Sequence, residues 1–164
     1  MIRSMSEVSG LVLKAARGAG LPLGHAEDLA AATADLTAVE MGLTQLLTAL
    51  NRAQVGCAYA APCAIDRVTA GLGSAVVKAP KCPLVWDALV THAARSGLNV
   101  SITWSGADAT LVDTAQPASP RPRGPVDIDD TLWAALSTLA AKTYVPATEA
   151  SRLAGAGAGL TDND

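Results

Sequence analysis

The stretch Asn99-Val-Ser-Ile-Thr-Trp-Ser-Gly-Ala-Asp-Ala-Thr-Leu-Val-Asp113 decides the fold, because apolar residues alternate on both sides of Ser105-Gly106. A two-residue turn there predicts a β-hairpin. The predicted cross-strand pairs are all apolar: Trp104 with Ala107, Ile102 with Ala109, and Val100 with Leu111. The other face carries Ser101, Thr103, Asp108 and Thr110. We therefore predict a hairpin with one apolar face, on which Trp104 is buried.

The residues before the hairpin carry mostly helical signals. Ser4 and Glu7 form a capping box for a first helix, which ends at Gly18 and Gly20. A second helix is predicted from about Gly24 to Val39, and a third segment follows Gly42. Residues 53–74 show little periodicity, so we expect a loop with at most a short helix. The N-terminal half is thus predicted to be an α-hairpin with an extension.

The second half combines short strands with two further helices. Ala75–Ala79 is a strand candidate stopped by Pro80, and Pro83 suits the first position of a helix that ends at Gly97. A last helix is opened by Asp127, Asp129 and Asp130 and ends at Tyr144-Val-Pro146. The predicted fold is α+β: the helical N-terminal half packs with a small antiparallel sheet containing the 99–113 hairpin, and with two further helices. We expect one domain over residues 1–164, with a Gly-rich tail from about 146 to 164.

Composition excludes several classes of protein. The chain has 164 residues, 50% of them hydrophobic and 16% charged, which is typical of a globular domain. The net charge is −3, so nucleic acid is not an expected partner, and the cation pairs Lys14/Arg17 and Arg121/Arg123 are too sparse to change that. Apolar runs are too short for a membrane span, and the first residues do not resemble a signal peptide. We expect a cytoplasmic protein.

The cysteines predict neither disulfides nor a metal site. Cys57, Cys63 and Cys82 are an odd number, and the spacing of the first two does not fit a zinc knuckle. His25 and His92 are far from them in sequence. We expect three buried, inert thiols, no metal and no cofactor.

The C-terminal tail and the first helix hold polar residues that no core requires. Glycines at 155, 157 and 159 let backbone amides approach a ligand closely, but the phosphate-loop pattern is absent. Lys14 and Arg17 lie three residues apart on one helical face, late in the first helix, where a solvated last turn is the simpler interpretation. The functional alternative is that they bind a carboxylate from a small anionic ligand or from the acidic tail. A hard cation held by the tail aspartates is an alternative. The candidate binding residues are Lys14, Arg17, Tyr144, Glu149, Ser151, Arg152, Asp162 and Asp164.

Both ends of the chain resemble a known family. The segments are Lys14-Ala-Ala-Arg-Gly-Ala-Gly-Leu-Pro22 with Gly24 and Ala26-Glu27, and the tail from Thr143 to Asp164. They are similar to a bacterial family without assigned function, the domain-of-unknown-function family numbered 3726. Its members carry a Trp in the turn after the first helix, where this chain has Leu23. The resemblance implies no reaction and no cofactor.

Two functional hypotheses remain open. The first is a binding or accessory protein that self-associates, with the tail docked in a groove of its own or a neighbouring chain. The second is a small-molecule enzyme in which Lys14 and Arg17 meet the tail residues, with Tyr144 or Glu149 handling protons. No nucleophile and base pair can be argued from the sequence, so the first hypothesis is favoured.

Overall fold

The computed structural model describes residues 1–116, 120 and 124–143. The fold is α+β with a helical N-terminal half, as predicted. The helices of this part are α1 (Met5–Gly18), α2 (Leu23–Ala31), α3 (Thr33–Thr37), α4 (Gly42–Leu50), α5 (Cys57–Thr69), α6 (Pro83–Arg95) and α7 (Asp130–Ala141). The strands are β1 (Ile2–Arg3), β2 (Ala75–Val77), β3 (Ser101–Ser105), β4 (Asp108–Val112) and β5 (Val126–Asp127).

Helix α1 begins where the capping box predicts. The backbone N–H of Glu7 donates to Ser4 Oγ at 3.3 Å, and the N–H of Ser4 donates to Glu7 Oε2 at 2.9 Å. Both groups would otherwise lack partners at the helix start. The buried residues Val8, Val12, Ala15 and Ala16 form one face of this helix. The capping box therefore fixes which face of α1 enters the core and which carries Lys14 and Arg17.

The predicted second helix is two helices, because the chain bends at Ala32. The hydroxyl of Thr33 donates to the carbonyl oxygen of Leu29 at 3.1 Å in a fully buried environment. A threonine hydroxyl bound to the carbonyl four residues back competes with the helical amide and bends the helix. The bend separates α2 from α3. The prediction of one continuous helix from Gly24 to Val39 was wrong for this reason.

The prediction of a loop for residues 53–74 was also wrong, since α5 occupies thirteen of them. Its buried residues have helical spacing: Cys57, Ala58, Ala61, Pro62, Ile65 and Val68. Small residues and a proline make this apolar stripe weak in sequence. Pro62 removes one backbone hydrogen bond, but burial of the stripe against the rest of the core keeps the helix intact.

The three-stranded sheet has the order β2-β4-β3, with both pairs antiparallel. The hairpin of β3 and β4 is confirmed, but its register is displaced by two residues from the prediction. Ile102 pairs with Leu111 and Trp104 with Ala109, around a loop of Gly106 and Ala107. Gly106 has φ +60°, the value that a type II′ turn needs at its first loop position. A two-residue displacement preserves the faces of both strands, so the hydrophobic pattern alone could not detect it.

Trp104 is not buried, contrary to the prediction. It lies near the hairpin loop and is 37% exposed, while its indole N–H donates to Asp87 on α6 at 2.8 Å. The buried positions of the hairpin are Val100, Ala109 and Leu111. Replacing Trp104 with Ala should therefore lower the free energy of unfolding by much less than the roughly 3–5 kcal/mol expected for a buried tryptophan.

Helix α6 is the central element of the core. It begins with Pro83 as predicted and buries Val85, Trp86 and Leu89. Near its end, Arg95 makes a bidentate ion pair with Asp35 on α3, with nitrogen–oxygen distances of 2.7 and 2.9 Å. The two side chains are 18% and 11% exposed. This pair fixes α3 against α6.

Helix α7 closes the fold against α1. Its N-cap, Asp129, accepts from the amides of Thr131 and Leu132, as the acidic start predicted. The helix ends at Ala141, three residues before the predicted end at Tyr144. Asp127 lies in β5, which pairs with β1, rather than in the helix. Arg3 of β1 stacks on Trp133 at 4.6 Å, and this contact further ties the N-terminus to α7.

Candidate functional site

The two cations predicted on α1 lie in a concavity between the ends of α1 and α7. This basic concavity has a volume of about 520 Å³ and is lined by Leu13, Lys14, Arg17, Gly18, Leu23, Lys142 and Thr143. Lys14, Arg17 and Lys142 are all exposed. Lys142 was not predicted, because only the packing of α7 on α1 brings it to the other two cations. The concavity therefore carries three positive charges.

Gly18 makes this arrangement possible. A Cβ atom at this position would collide with the backbone carbonyl of Leu139, so α1 and α7 approach each other here with no space for a side chain. The close approach places Lys142, the C-cap of α7, beside the last turn of α1. The spacing between the three cations thus depends on a glycine that the sequence suggested only as a helix end.

Arg17 is partly fixed in place. Its Nη1 donates to the carbonyl oxygen of Leu21 at 2.7 Å, across the turn that follows α1. A guanidinium has five N–H donors, so others are available for a ligand. Among the described residues, no carboxylate forms an ion pair with Lys14, Arg17 or Lys142. Within the described part of the chain, an anion can therefore enter the concavity without first breaking a salt bridge.

Leu23 gives the basic concavity an apolar wall. It begins α2 and is 54% exposed. A ligand with both a negative charge and an apolar part would use the cations and this wall together.

The remaining predicted site residues lie outside the described part of the chain. They are Tyr144, Glu149, Ser151, Arg152, Asp162 and Asp164. Thr143, the last described residue, lines the basic concavity. Lys14 and Arg17 are thus the predicted residues that the structure brings together.

A thiol and imidazole pair was missed by the sequence analysis. Cys63 of α5 is exposed, contrary to the prediction of three buried thiols, and its Sγ lies 3.9 Å from Nε2 of His25 on α2. Tyr59 packs edge-on against the His25 ring, with 4.8 Å between ring centres. Catalytic pairs of this type orient the imidazole through its second nitrogen. No described residue bonds to Nδ1 of His25, so the pair lacks this support.

The other two cysteines are buried, as predicted. Burial, together with the neighbouring thiol of Cys57, raises the pKa of Cys82 to about 12. A thiol with such a pKa has almost no thiolate at neutral pH and is therefore unreactive.

The carboxyl group of Asp28 on α2 has a raised pKa. Burial, reinforced by the charge of Asp66, raises the pKa of Asp28, and the imidazoles of His92 and His25 oppose this.

Two further features are absent from the described part of the chain. Within the described ranges, no three His, Cys, Asp or Glu side chains are placed to hold a metal ion. No helix among the described residues has the length and apolar character required to cross a membrane.

A model of one protein family matches part of the chain, and the comparisons name no activity. Residues 3–75 match the model of a family described as a protein of unknown function, DUF3726. The match includes Lys14 and Arg17, and also Cys57 and Cys63, which the sequence analysis did not align with the family. The tail is outside it. No curated protein and no solved structure matches the chain. The match covers 73 of the 164 residues, and over residues 3–75 it confirms the resemblance of the N-terminal segment to this family.

Proposed function

We propose that this is a binding protein that self-associates, and that its basic concavity receives carboxylates. The proposed occupant is the acidic end of the tail, Asp162 and Asp164, from a neighbouring chain. The observation that carries the proposal is the convergence of Lys14, Arg17 and Lys142 around one concavity, where no described carboxylate forms an ion pair with any of the three. An anionic segment with a leucine two residues before its first aspartate, as Leu160 is before Asp162, complements both the cations and Leu23.

Charge alone is too weak to hold such an assembly. Exposed ion pairs contribute about 0.2–1 kcal/mol each, so three contribute about 0.6–3 kcal/mol. A micromolar dissociation constant requires about 8 kcal/mol. The remainder has to come from apolar contact, for which Leu13 and the half-exposed Leu23 are the available surface. We therefore expect a weak assembly whose affinity falls with salt concentration.

The tail is long enough to reach its own concavity or that of a neighbour. Residues 144–164 are 21 residues, which span at most about 70 Å when extended. Mass measurement distinguishes the two cases, because only docking on a neighbour changes the molar mass.

The test compares the full chain with a chain ending at Ala154, by light scattering at low and high salt. We expect the full chain to exceed the 16.5 kDa of one chain at low salt and to approach it at high salt. The shortened chain should stay at the mass of one chain and keep the same circular dichroism. Equal masses for both chains under all conditions would refute tail-mediated self-association.

A small anionic molecule is the second candidate occupant. The volume of about 520 Å³ lies within the range of small-molecule sites. In the enzyme hypothesis, Tyr144, Glu149, Ser151 and Arg152 would complete this site. Calorimetric titration with citrate, a tricarboxylate probe, tests it: binding lost in Lys14→Gln/Lys142→Gln supports a small-molecule site, and no heat in wild type excludes citrate-like ligands. A cytoplasmic location stays a prediction from the sequence.

A further inference from the structure

A second cavity lies on another side of the molecule, where the loop after α4 meets the loop between β2 and α6. Its volume is about 610 Å³. Its lining includes Arg52 and Val55 from the first loop, Lys78 and Lys81 from the second, and Trp86 from α6. It shares no lining residue with the basic concavity. We call it the α5 cavity, because the first residues of α5 form one of its edges.

The α5 cavity has two cations that are not neutralised within the described chain. Lys78 pairs with Asp108 at 2.6 Å, but no described carboxylate forms an ion pair with Arg52 or Lys81. No Asp or Glu is among its described lining residues. The charges of Arg52 and Lys81 therefore favour an anion in the cavity.

The start of α5 adds a third anion-favouring feature. Its N-cap is Gly56, which offers no side chain to accept hydrogen bonds from the amides of Cys57 and Ala58, whereas the amide of Tyr59 donates to the Gly56 carbonyl oxygen at 3.1 Å. Amides at a helix start, with the positive end of the helix dipole, favour a negative group. A Cβ on Gly56 would lie 2.7 Å from the carbonyl oxygen of Arg52, so the glycine lets the Arg52 loop lie close to the start of the helix.

The rest of the cavity wall is mostly apolar, apart from the hydroxyl of Thr48 and the thiols of Cys57 and Cys82, and it contains one unsatisfied donor. Val77, Pro80 and Trp86 contribute to it, and Val55 is 89% exposed at its edge. Trp86 is only 1% exposed, and its indole N–H has no acceptor among the described residues. A buried donor without a partner costs free energy, and its N–H signal reports on any change in the wall around it.

We propose that the α5 cavity is a binding site for a small organic carboxylate with an apolar body. The carboxylate would bind Arg52, Lys81 and the amide of Cys57 at the start of α5, and the apolar body would lie against Val77 and Trp86. A guanidinium binds a carboxylate through two parallel hydrogen bonds, which fixes the orientation of the ligand. This site is independent of the basic concavity, so either proposal can fail without the other.

The test is a titration of the ¹⁵N-labelled full chain with 2-naphthoate, followed by NMR at the indole N–H signals of the three tryptophans. The variants Trp104→Phe and Trp133→Phe assign two signals and leave Trp86 as the third. The neutral amide 2-naphthamide has the same shape without the charge. The site variant is Arg52→Gln/Lys81→Gln, and the matched control is Lys14→Gln/Lys142→Gln in the basic concavity.

We expect a saturable shift of the Trp86 signal with 2-naphthoate and a much weaker one with 2-naphthamide. The dissociation constant should rise at least about tenfold in Arg52→Gln/Lys81→Gln and stay unchanged in the control variant. An unmoved Trp86 signal, equal binding of the amide, or an affinity that only the control variant lowers would each overturn the proposal.

Discussion

Replacing Gly18 by Ala tests the packing that builds the basic concavity. The new Cβ would overlap the carbonyl oxygen of Leu139, a backbone atom that cannot rotate away, so α1 and α7 have to separate. Overpacking of this kind costs about 1–3 kcal/mol. For a chain of this size each kcal/mol lowers Tm by about 2–4 °C, so we expect a loss of about 2–12 °C. The separation should also move Lys142 away from Lys14 and weaken self-association.

Gly10→Ala is the matched control on the same helix. Gly10 is exposed, and a Cβ there would meet nothing within 4 Å. Alanine in an exposed helix interior is favoured over glycine by about 0.5–1 kcal/mol, so Tm should rise by about 1–4 °C. Differential scanning calorimetry measures both variants. If Gly18→Ala were as stable as Gly10→Ala, the close approach of α1 to α7 and the geometry derived from it would be wrong.

Three further predictions concern the rest of the fold. Asp35→Asn replaces the bidentate ion pair with Arg95 by at most one hydrogen bond to a neutral amide oxygen. It should cost about 3 kcal/mol in urea unfolding, the lower end for buried pairs because both side chains are slightly exposed; a loss below 1 kcal/mol would contradict this. Burial raises the pKa of the Asp87 carboxyl above its ordinary value, although the hydrogen bond from Trp104 opposes this. At pH values near this pKa the folded protein therefore binds more protons than the unfolded chain, so the free energy of unfolding falls as the pH rises. Asp87→Asn keeps the acceptor for Trp104 and should stabilise the protein at pH 7 but not at pH 3, and an equal effect at both would refute the shift. Maleimide at neutral pH should modify Cys63 in the folded protein, and Cys57 and Cys82 only after denaturation. Peptide mass spectrometry locates the modified residues, and modification of Cys82 in the folded protein would contradict this prediction.

Local signals predicted most of the helices and strands. Ser4 with Glu7, Pro83 and Asp129 each specify a helix start through hydrogen bonds or backbone geometry within a few residues. These signals do not depend on distant parts of the chain. The elements that they begin lie where the sequence placed them.

Features that depend on packing could not be predicted in the same way. Helix α5 was missed because its buried stripe contains Ala58, Ala61 and Pro62, which give almost no hydrophobic contrast. The hairpin register was wrong by two residues because only the turn at Gly106 distinguishes two alignments with the same faces.

The sequence predicted only some of the residues that form the candidate sites. Lys14 and Arg17 are one helical turn apart, so their proximity follows from spacing alone. Lys142 joins them through the contact of Gly18 with Leu139, and Cys63 meets His25 across 38 positions in sequence. No periodicity in one segment encodes such contacts.

The central claim is that the basic concavity binds the acidic end of the tail, and a charge exchange tests it most directly. One full-length variant carries Lys14→Glu/Lys142→Glu, a second carries Asp162→Lys/Asp164→Lys, and a third carries all four changes. Light scattering at low salt should show that each double variant has the mass of one chain and that the fourfold variant recovers the assembly of wild type. A fourfold variant that stays at the mass of one chain, or double variants that assemble like wild type, would contradict the account.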